Sequence, residues 1–156
     1  MNDRLFKLLR AMACACLITA SAAAFAAAPA KSSVHVEHAW IRWLPANLPA
    51  AGYAKIVNDG DSTVRLTGAS SPDYGEVMLH QSRLAEGDST MVMVAHLDIL
   101  AHGSVSLAPG GYHLMLSHAK QPVKPGDTVP VTLHFADGAS VQVGFKVMPA
   151  NATGPG

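Results

Sequence analysis

Thr128-Val129-Pro130-Val131-Thr132-Leu133-His134-Phe135 is followed by Ala136-Asp137-Gly138, and then by Ser140-Val141-Gln142-Val143-Gly144-Phe145-Lys146-Val147. Two apolar or alternating runs flank a turn in which Asp and Gly accept positive φ, so these residues read as strand, turn, strand. Elsewhere in the chain, runs of the same kind recur at 34–43, 52–58, 63–69, 76–83, 90–96, 104–107 and 112–117. The breaks between them are turn sequences: Asn58-Asp59-Gly60-Asp61, Ala85-Glu86-Gly87-Asp88, Pro109-Gly110-Gly111 and Lys124-Pro125-Gly126-Asp127. Strong helical periodicity is absent. Short strands at this spacing predict an all-β fold, a two-sheet antiparallel β-sandwich with Greek-key connections. The domain is expected over 34–148, followed by a Pro/Gly/Asn-rich tail, 149–156, expected to fray.

The beginning of the chain reads differently. Arg4, Lys7 and Arg10 precede a run without charge from Ala11 to Ala28, and small residues follow as Ala24-Phe25-Ala26 and Ala26-Ala27-Ala28. Basic, apolar and small-x-small regions in that order describe a cleaved secretory signal peptide over 1–26, with the cut as late as 28. The Ala-rich run is too weakly apolar for a membrane anchor, so no stable membrane insertion is expected after cleavage. A lipoprotein signal needs a Leu three residues before its Cys, and neither Cys14 nor Cys16 has that context. Cleavage after Ala26 removes both cysteines, three of the 11 cations and one of the 11 anions, leaving a net charge of −2 and no thiol. A domain of this size without disulfides must rely on its core. The whole chain, 156 residues with a formal net charge of zero, has no basic run, which argues against a nucleic-acid partner. A hydrophobic fraction of 49% with only 14% charged residues argues against disorder.

Alternation then sorts the chemistry. Residues two apart in a strand share a face. In Val77-Met78-Leu79-His80, in Met91-Val92-Met93-Val94 and in Tyr112-His113-Leu114-Met115-Leu116, one face is aliphatic or aromatic and the other holds only Met and His. A thioether is a soft neutral donor and imidazole serves borderline and soft metals, so convergence without carboxylate or thiolate selects Cu(I). Zn²⁺ prefers Cys, His or carboxylate, and Ca²⁺ or Mg²⁺ needs clustered oxygens. A blue-copper electron-transfer site needs a Cys, which the processed chain lacks. Methionine is also a common filler of cores, so the pattern alone leaves ligation and packing both open.

The spacing His80-x10-Met91-x21-His113-x-Met115 resembles the copper-binding signature of the PCuAC family of periplasmic copper chaperones. The resemblance runs from about Val36 to Val147. It includes Glu37-His38-Ala39-Trp40-Ile41-Arg42, Ala51-Gly52-Tyr53, Gly68-Ala69-Ser70-Ser71-Pro72, Pro109-Gly110-Gly111-Tyr112 and Lys120-Gln121-Pro122-Val123-Lys124-Pro125-Gly126-Asp127. It implies a cupredoxin-like sandwich and a non-enzymatic role: carrying one Cu(I) on His80, Met91, His113 and Met115 towards assembly of the copper site of cytochrome c oxidase. The implied partners are a Sco-type thioredoxin-like copper protein and the oxidase copper-site subunit. Met93 and, less closely, Met78 are nearby alternate donors. After Met115 the chain has Ser117-His118-Ala119 where the family often continues with Met and Gly. His118 is read as exposed.

Loops between the three strands are expected to bring the donors together near one end of the sandwich, and protonation of either imidazole to compete with metal. His35 and His38, three apart, are expected on opposite strand faces. His35 lies close to the expected new amino terminus, where a Cu(II) site is a minor alternative. His96, His102 and His134 have no matching donor, and Trp40, Trp43 and Tyr53 are read as core or patch residues, with an indole near the metal left open as an alternative. The competing readings are an exported interaction module without a metal-dependent role, and a redox-cycling copper enzyme, which the thioethers disfavour.

Overall fold

The computed structural model describes residues 33–45, 48–85 and 88–155. The expected signal segment, both cysteines and the Glu86-Gly87 turn lie outside the described residues. Ten strands build the domain: β1 (Val34–Arg42), β2 (Ala50–Asn58), β3 (Val64–Ser70), β4 (Tyr74–Ala85), β5 (Asp88–Met93), β6 (Leu97–Ile99), β7 (Ser104–Leu107), β8 (Tyr112–Ala119), β9 (Thr128–Phe135) and β10 (Ser140–Met148). Their hydrogen-bonded order is β5-β4-β8-β2-β1-β10-β9-β3-β6, with β7 also pairing β2. Val77, Leu79, Leu114 and Leu116 from one arm of this path share a single buried cluster with Leu66, Val131, Leu133 and Phe145 from the other. The path therefore folds over on itself, and the all-β sandwich expected from the turn spacing is the observed architecture.

Three details depart from the sequence reading. The run expected over 90–96 stops at Met93, and Leu97–Ile99 forms a separate strand that pairs β3 on the other arm. Three residues, with Leu97 and Ile99 buried and Asp98 exposed, are too short for alternation to register. Second, β1 and β10 pair in parallel, so the sandwich is not wholly antiparallel. Alternation specifies faces but carries no information about the direction of the neighbouring strand. Third, Gly110, Gly126 and Gly138 take the positive φ expected of their turns, whereas Gly60 does not.

The turn at Gly60 is built by a side chain instead. Asn58 is fully buried at the end of β2. Its Nδ2 donates to the carbonyls of Ser62, Ile99 and Leu100 at 2.8, 3.2 and 3.1 Å, and its Oδ1 accepts from the Gly60 N–H at 3.0 Å. One amide thus ties the β2–β3 turn to the end of β6. The neighbouring Asp59 carboxylate accepts from His35 Nδ1 at 2.6 Å, and Glu37 accepts from His35 Nε2 at 3.4 Å. Both ring nitrogens face carboxylates, which only accept, so the imidazolium is favoured. The Asp59 hydrogen bond is the main cause that raises the His35 pKa, with Glu37 adding to it against an opposing desolvation.

A bulge in β1 changes which side chains face the core. Register shifts between Glu37 and Trp40, and His38 sits at φ 52°. An inserted residue reverses the alternation beyond it. Val34 before the bulge and Ile41 after it both reach the core, while Trp40 and Arg42 turn to the opposite face.

Two outcomes are expected. Asn58→Asp places a carboxylate oxygen against three carbonyls in a buried site and should cost about 2–4 kcal/mol in a urea unfolding series; a loss within about 0.5 kcal/mol, the size of an ordinary surface change, would reject the tie. For His35, the raised folded pKa means that its ion pair stabilises fully below the unfolded value of 6.5 and that this stabilisation disappears as pH rises through the folded value. Ring-proton NMR should place its midpoint above 6.5, with Asp59→Asn moving it back down; an unmoved midpoint would sink this assignment.

Candidate metal centre

The ladder between β4 and β8 pairs Met78 with Met115, Leu79 with Leu114 and His80 with His113. On the other side of β4, His80 pairs with Met93 and Ser82 with Met91. On the other side of β8, Met115 pairs with Ala51, and beyond that Ala51 pairs with Arg42 and Tyr53 with Trp40. Directly paired residues share a face. Five strands therefore contribute one surface, bearing Met91 and Met93, then Met78 and His80, then His113 and Met115, then Tyr53, then Trp40 and Arg42. The opposite face of β4 and β8 is core.

Strand register, not the loops expected to gather them, sets where the four residues named from the sequence stand. Met91 and Met115 flank β4 on either side, opposite Ser82 and Met78. His80 and His113 are direct neighbours, with ring centroids 6.0 Å apart and planes inclined by 23°. Met115 is one diagonal step from His80, and Met91 another in the opposite direction; diagonal neighbours, about 7–8 Å apart, remain in reach of a long side chain. Met91, His113 and Met115 line one open cavity of about 470 Å³, together with Tyr53, Ser82 and Arg42. The register puts Met93, the alternate donor, directly across from His80.

Burial divides the candidate donors. His80 and His113 are 9% and 5% exposed, whereas Met91 and Met93 are 64% and 72% exposed. The His113 Nδ1–H donates to the Gly111 carbonyl at 3.1 Å. A carbonyl only accepts, so the proton is on Nδ1 and the Nε2 lone pair is free for a ligand. The Ser82 N–H donates to the same carbonyl at 3.0 Å, which holds the Pro109-Gly110-Gly111 turn against β4. His80 Nδ1 is buried and makes no hydrogen bond. Such a group costs about 1–3 kcal/mol unless something outside the chain meets it. Among the described residues no three His, Cys, Asp or Glu side chains group as a metal site; across the ladder this imidazole pair is flanked by the thioethers of Met93, Met91 and Met115.

Sequence reasoning left an indole near the metal open but did not read the wall that Trp40, Tyr53 and Arg42 form beside the imidazoles. Tyr53 lies 6.4 Å from the His113 ring and 4.7 Å from Trp40, centroid to centroid. The Arg42 guanidinium carbon sits 5.3 Å from the Tyr53 ring and 5.5 Å from Trp40, and its Nε donates to the Ala152 carbonyl at 3.2 Å. Burial pushes the Tyr53 hydroxyl above the ordinary phenol range, and the Arg42 charge opposes it. The one hint in the sequence is Val34-x-Val36 followed by Ile41, a parity change that demands an extra residue.

The remaining histidines stand elsewhere. His102 Nε2 meets Asp61 at 2.9 Å, His134 Nε2 meets Ser70 Oγ at 2.8 Å, and His118 is exposed at φ 58°. His35, considered for a Cu(II) site, spends both ring nitrogens on Asp59 and Glu37.

The family described as "Putative lipoprotein LpqE-like" matches residues 34–147. A curated relative from Leifsonia xyli subsp. xyli, named "Putative lipoprotein Lxx21020", is 33% identical over 115 residues, spanning 73% of this chain and 69% of that protein. Among solved structures, the apo PCuAC domain of PmoF2 aligns with a TM-score of 0.66 at 25% identity, over 80% of this chain and 96% of that one. The solution structure of DR1885 from Deinococcus radiodurans in its Cu(I) form aligns with a TM-score of 0.59 at 30% identity, over 82% of this chain and 84% of that one. The cupredoxin-like fold and the PCuAC resemblance read from the sequence are both found.

The hydrogen bond to Gly111 makes a spectroscopic prediction. Ring-nitrogen NMR of the metal-free protein should show neutral His113 as the Nδ1–H tautomer; an Nε2–H signature would remove its free lone pair from the cavity.

Proposed function

This chain belongs to the LpqE-like family, and we propose that it is an exported copper chaperone of the periplasm, carrying Cu(I) on His80, Met91, His113 and Met115. The observation that carries the reading is the buried imidazole pair, with His80 Nδ1 unpartnered, on the one sheet face that also bears the clustered thioethers. Copper is the cargo here and nothing is turned over. Thioether and neutral imidazole together favour the soft monovalent ion over Zn²⁺ or Ca²⁺. Four neutral ligands leave the centre with a charge of +1, which is less costly to bury than a dication.

The exposure gradient suits carriage. The imidazoles are fixed by the ladder and by Gly111, while Met91 and Met93 lie exposed on β5, the last strand of its arm. An acceptor can replace the exposed sulfurs one at a time while the histidines still hold the ion. Met93, paired with His80, is placed to serve as an exchange ligand during that replacement. Export accords with the lipoprotein names of the family and the relative, and with the charge pattern of the first 28 residues. The PCuAC resemblance supports, as the proposed destination, the copper site of cytochrome c oxidase, with a Sco-type thioredoxin-like protein as the proposed partner.

The test is anaerobic competition for Cu(I) against a chromophoric chelator. The wild-type chain should take up one equivalent, and X-ray absorption should show sulfur at the metal. The His80→Ala/His113→Ala double variant should lose at least about 100-fold in affinity, since removing even one ligand-supporting group typically costs 10–100-fold. Equal affinity in the double variant would contradict the site.

A further inference from the structure

We propose that Arg42 is a specificity-determining residue that biases this centre towards the monovalent ion, an inference that rests on the copper site described above. The cavity that Met91, His113 and Met115 line has Arg42 in its wall and, among the described residues, no carboxylate. Among the described residues the Arg42 guanidinium also has no carboxylate within ion-pair distance; its hydrogen bond runs to the uncharged Ala152 carbonyl. Its charge is therefore not cancelled locally, and it is held in place by the Trp40 and Tyr53 rings and by Ala152. It faces the cavity because the His38 bulge reverses the alternation of β1 just upstream.

The consequence comes from Coulomb's law. A fixed cation disfavours every metal ion beside it, and it disfavours a dication twice as much as a monocation. The Arg42–Tyr53 and Tyr53–His113 separations hold the guanidinium within roughly 12 Å of the His113 ring, and one unit of charge at that range and an effective dielectric near 20 corresponds to about tenfold in affinity. Donor softness and local charge thus act in the same direction. The first prefers Cu(I) by its electrons, the second by its charge. The same field lowers retention of Cu(I) itself, which suits a protein that must let go of its cargo.

The experiment measures Cu(I) and Cu(II) affinities, and the reduction potential of the bound copper, in the wild-type processed chain, Arg42→Gln, Arg42→Leu and Arg42→Lys. Leu keeps an apolar stem against the two rings, adds no metal donor and serves if the Gln variant does not fold. Both neutral variants should raise Cu(II) affinity about tenfold more than Cu(I) affinity, a fall of about 59 mV for a one-electron couple. Arg42→Lys keeps the charge and should stay near wild type. An unchanged ratio in the neutral variants would overturn the inference, as would a Lys variant that shifts as far as they do, since the effect would then be packing. A wild-type chain that binds no Cu(I) would instead reject the site reading beneath it.

Discussion

The pairing of β4 with β8 governs both the core and the candidate centre. Val77, Leu79, Leu114 and Leu116 fill one face of that ladder and are buried in the common core. Each contributes about 1.5–3 kcal/mol by leaving water. A slip of one residue would send all of them outward, so the register is strongly specified. The same register sets His80 against His113 and Met78 against Met115 on the other face. The candidate centre is thus positioned by core packing that takes no part in its chemistry. Burying one unpartnered imidazole nitrogen, at about 1–3 kcal/mol, is small against that packing.

Rigidity and access are separated along the sheet. The imidazoles occupy adjacent inner strands and are nearly covered. Two of the thioethers stand on β5, where the sheet ends and side chains meet solvent. Methionine, unbranched and with three rotatable bonds, tolerates changes of partner that a packed imidazole does not. A binding site intended only to retain a metal would gain by covering its sulfurs. Leaving them exposed lowers the barrier to exchange, which is what the proposed transfer of copper needs.

Much of this was legible in the amino acids. The alternation in Val77–His80, Met91–Val94 and Tyr112–Leu116 sorted core residues from the Met- and His-bearing face on β4 and β8, because period two is a local property of a strand. Which strands would be neighbours was not local. The hairpin at Gly138 could be read, but the parallel junction of β1 with β10 could not, since its partners lie at opposite ends of the domain. Asn58 read as a turn former, and its three carbonyl partners were invisible because two of them lie at the end of β6, a strand too short to recognise. Trp40 and Tyr53 read as core or patch residues; they form a wall beside His113, on the face away from the core. The placement of Trp40 depends on a single residue of β1 in the left-handed region.

The bulge at His38 is also what reconciles the two ends of β1. Unbroken alternation from Val34 and Val36 would drive Arg42 into the core and Ile41 out of it. Burying an unpaired guanidinium is prohibitive, and exposing Ile41 forfeits its burial. One non-glycine residue at positive φ, costing on the order of 1–3 kcal/mol, is the smaller penalty. The strained residue therefore has a physical cause independent of function. Its effect reaches the candidate centre all the same: Arg42, the sole cation of the cavity wall among the described residues, stands on the Met- and His-bearing face because the core required Ile41 on the other.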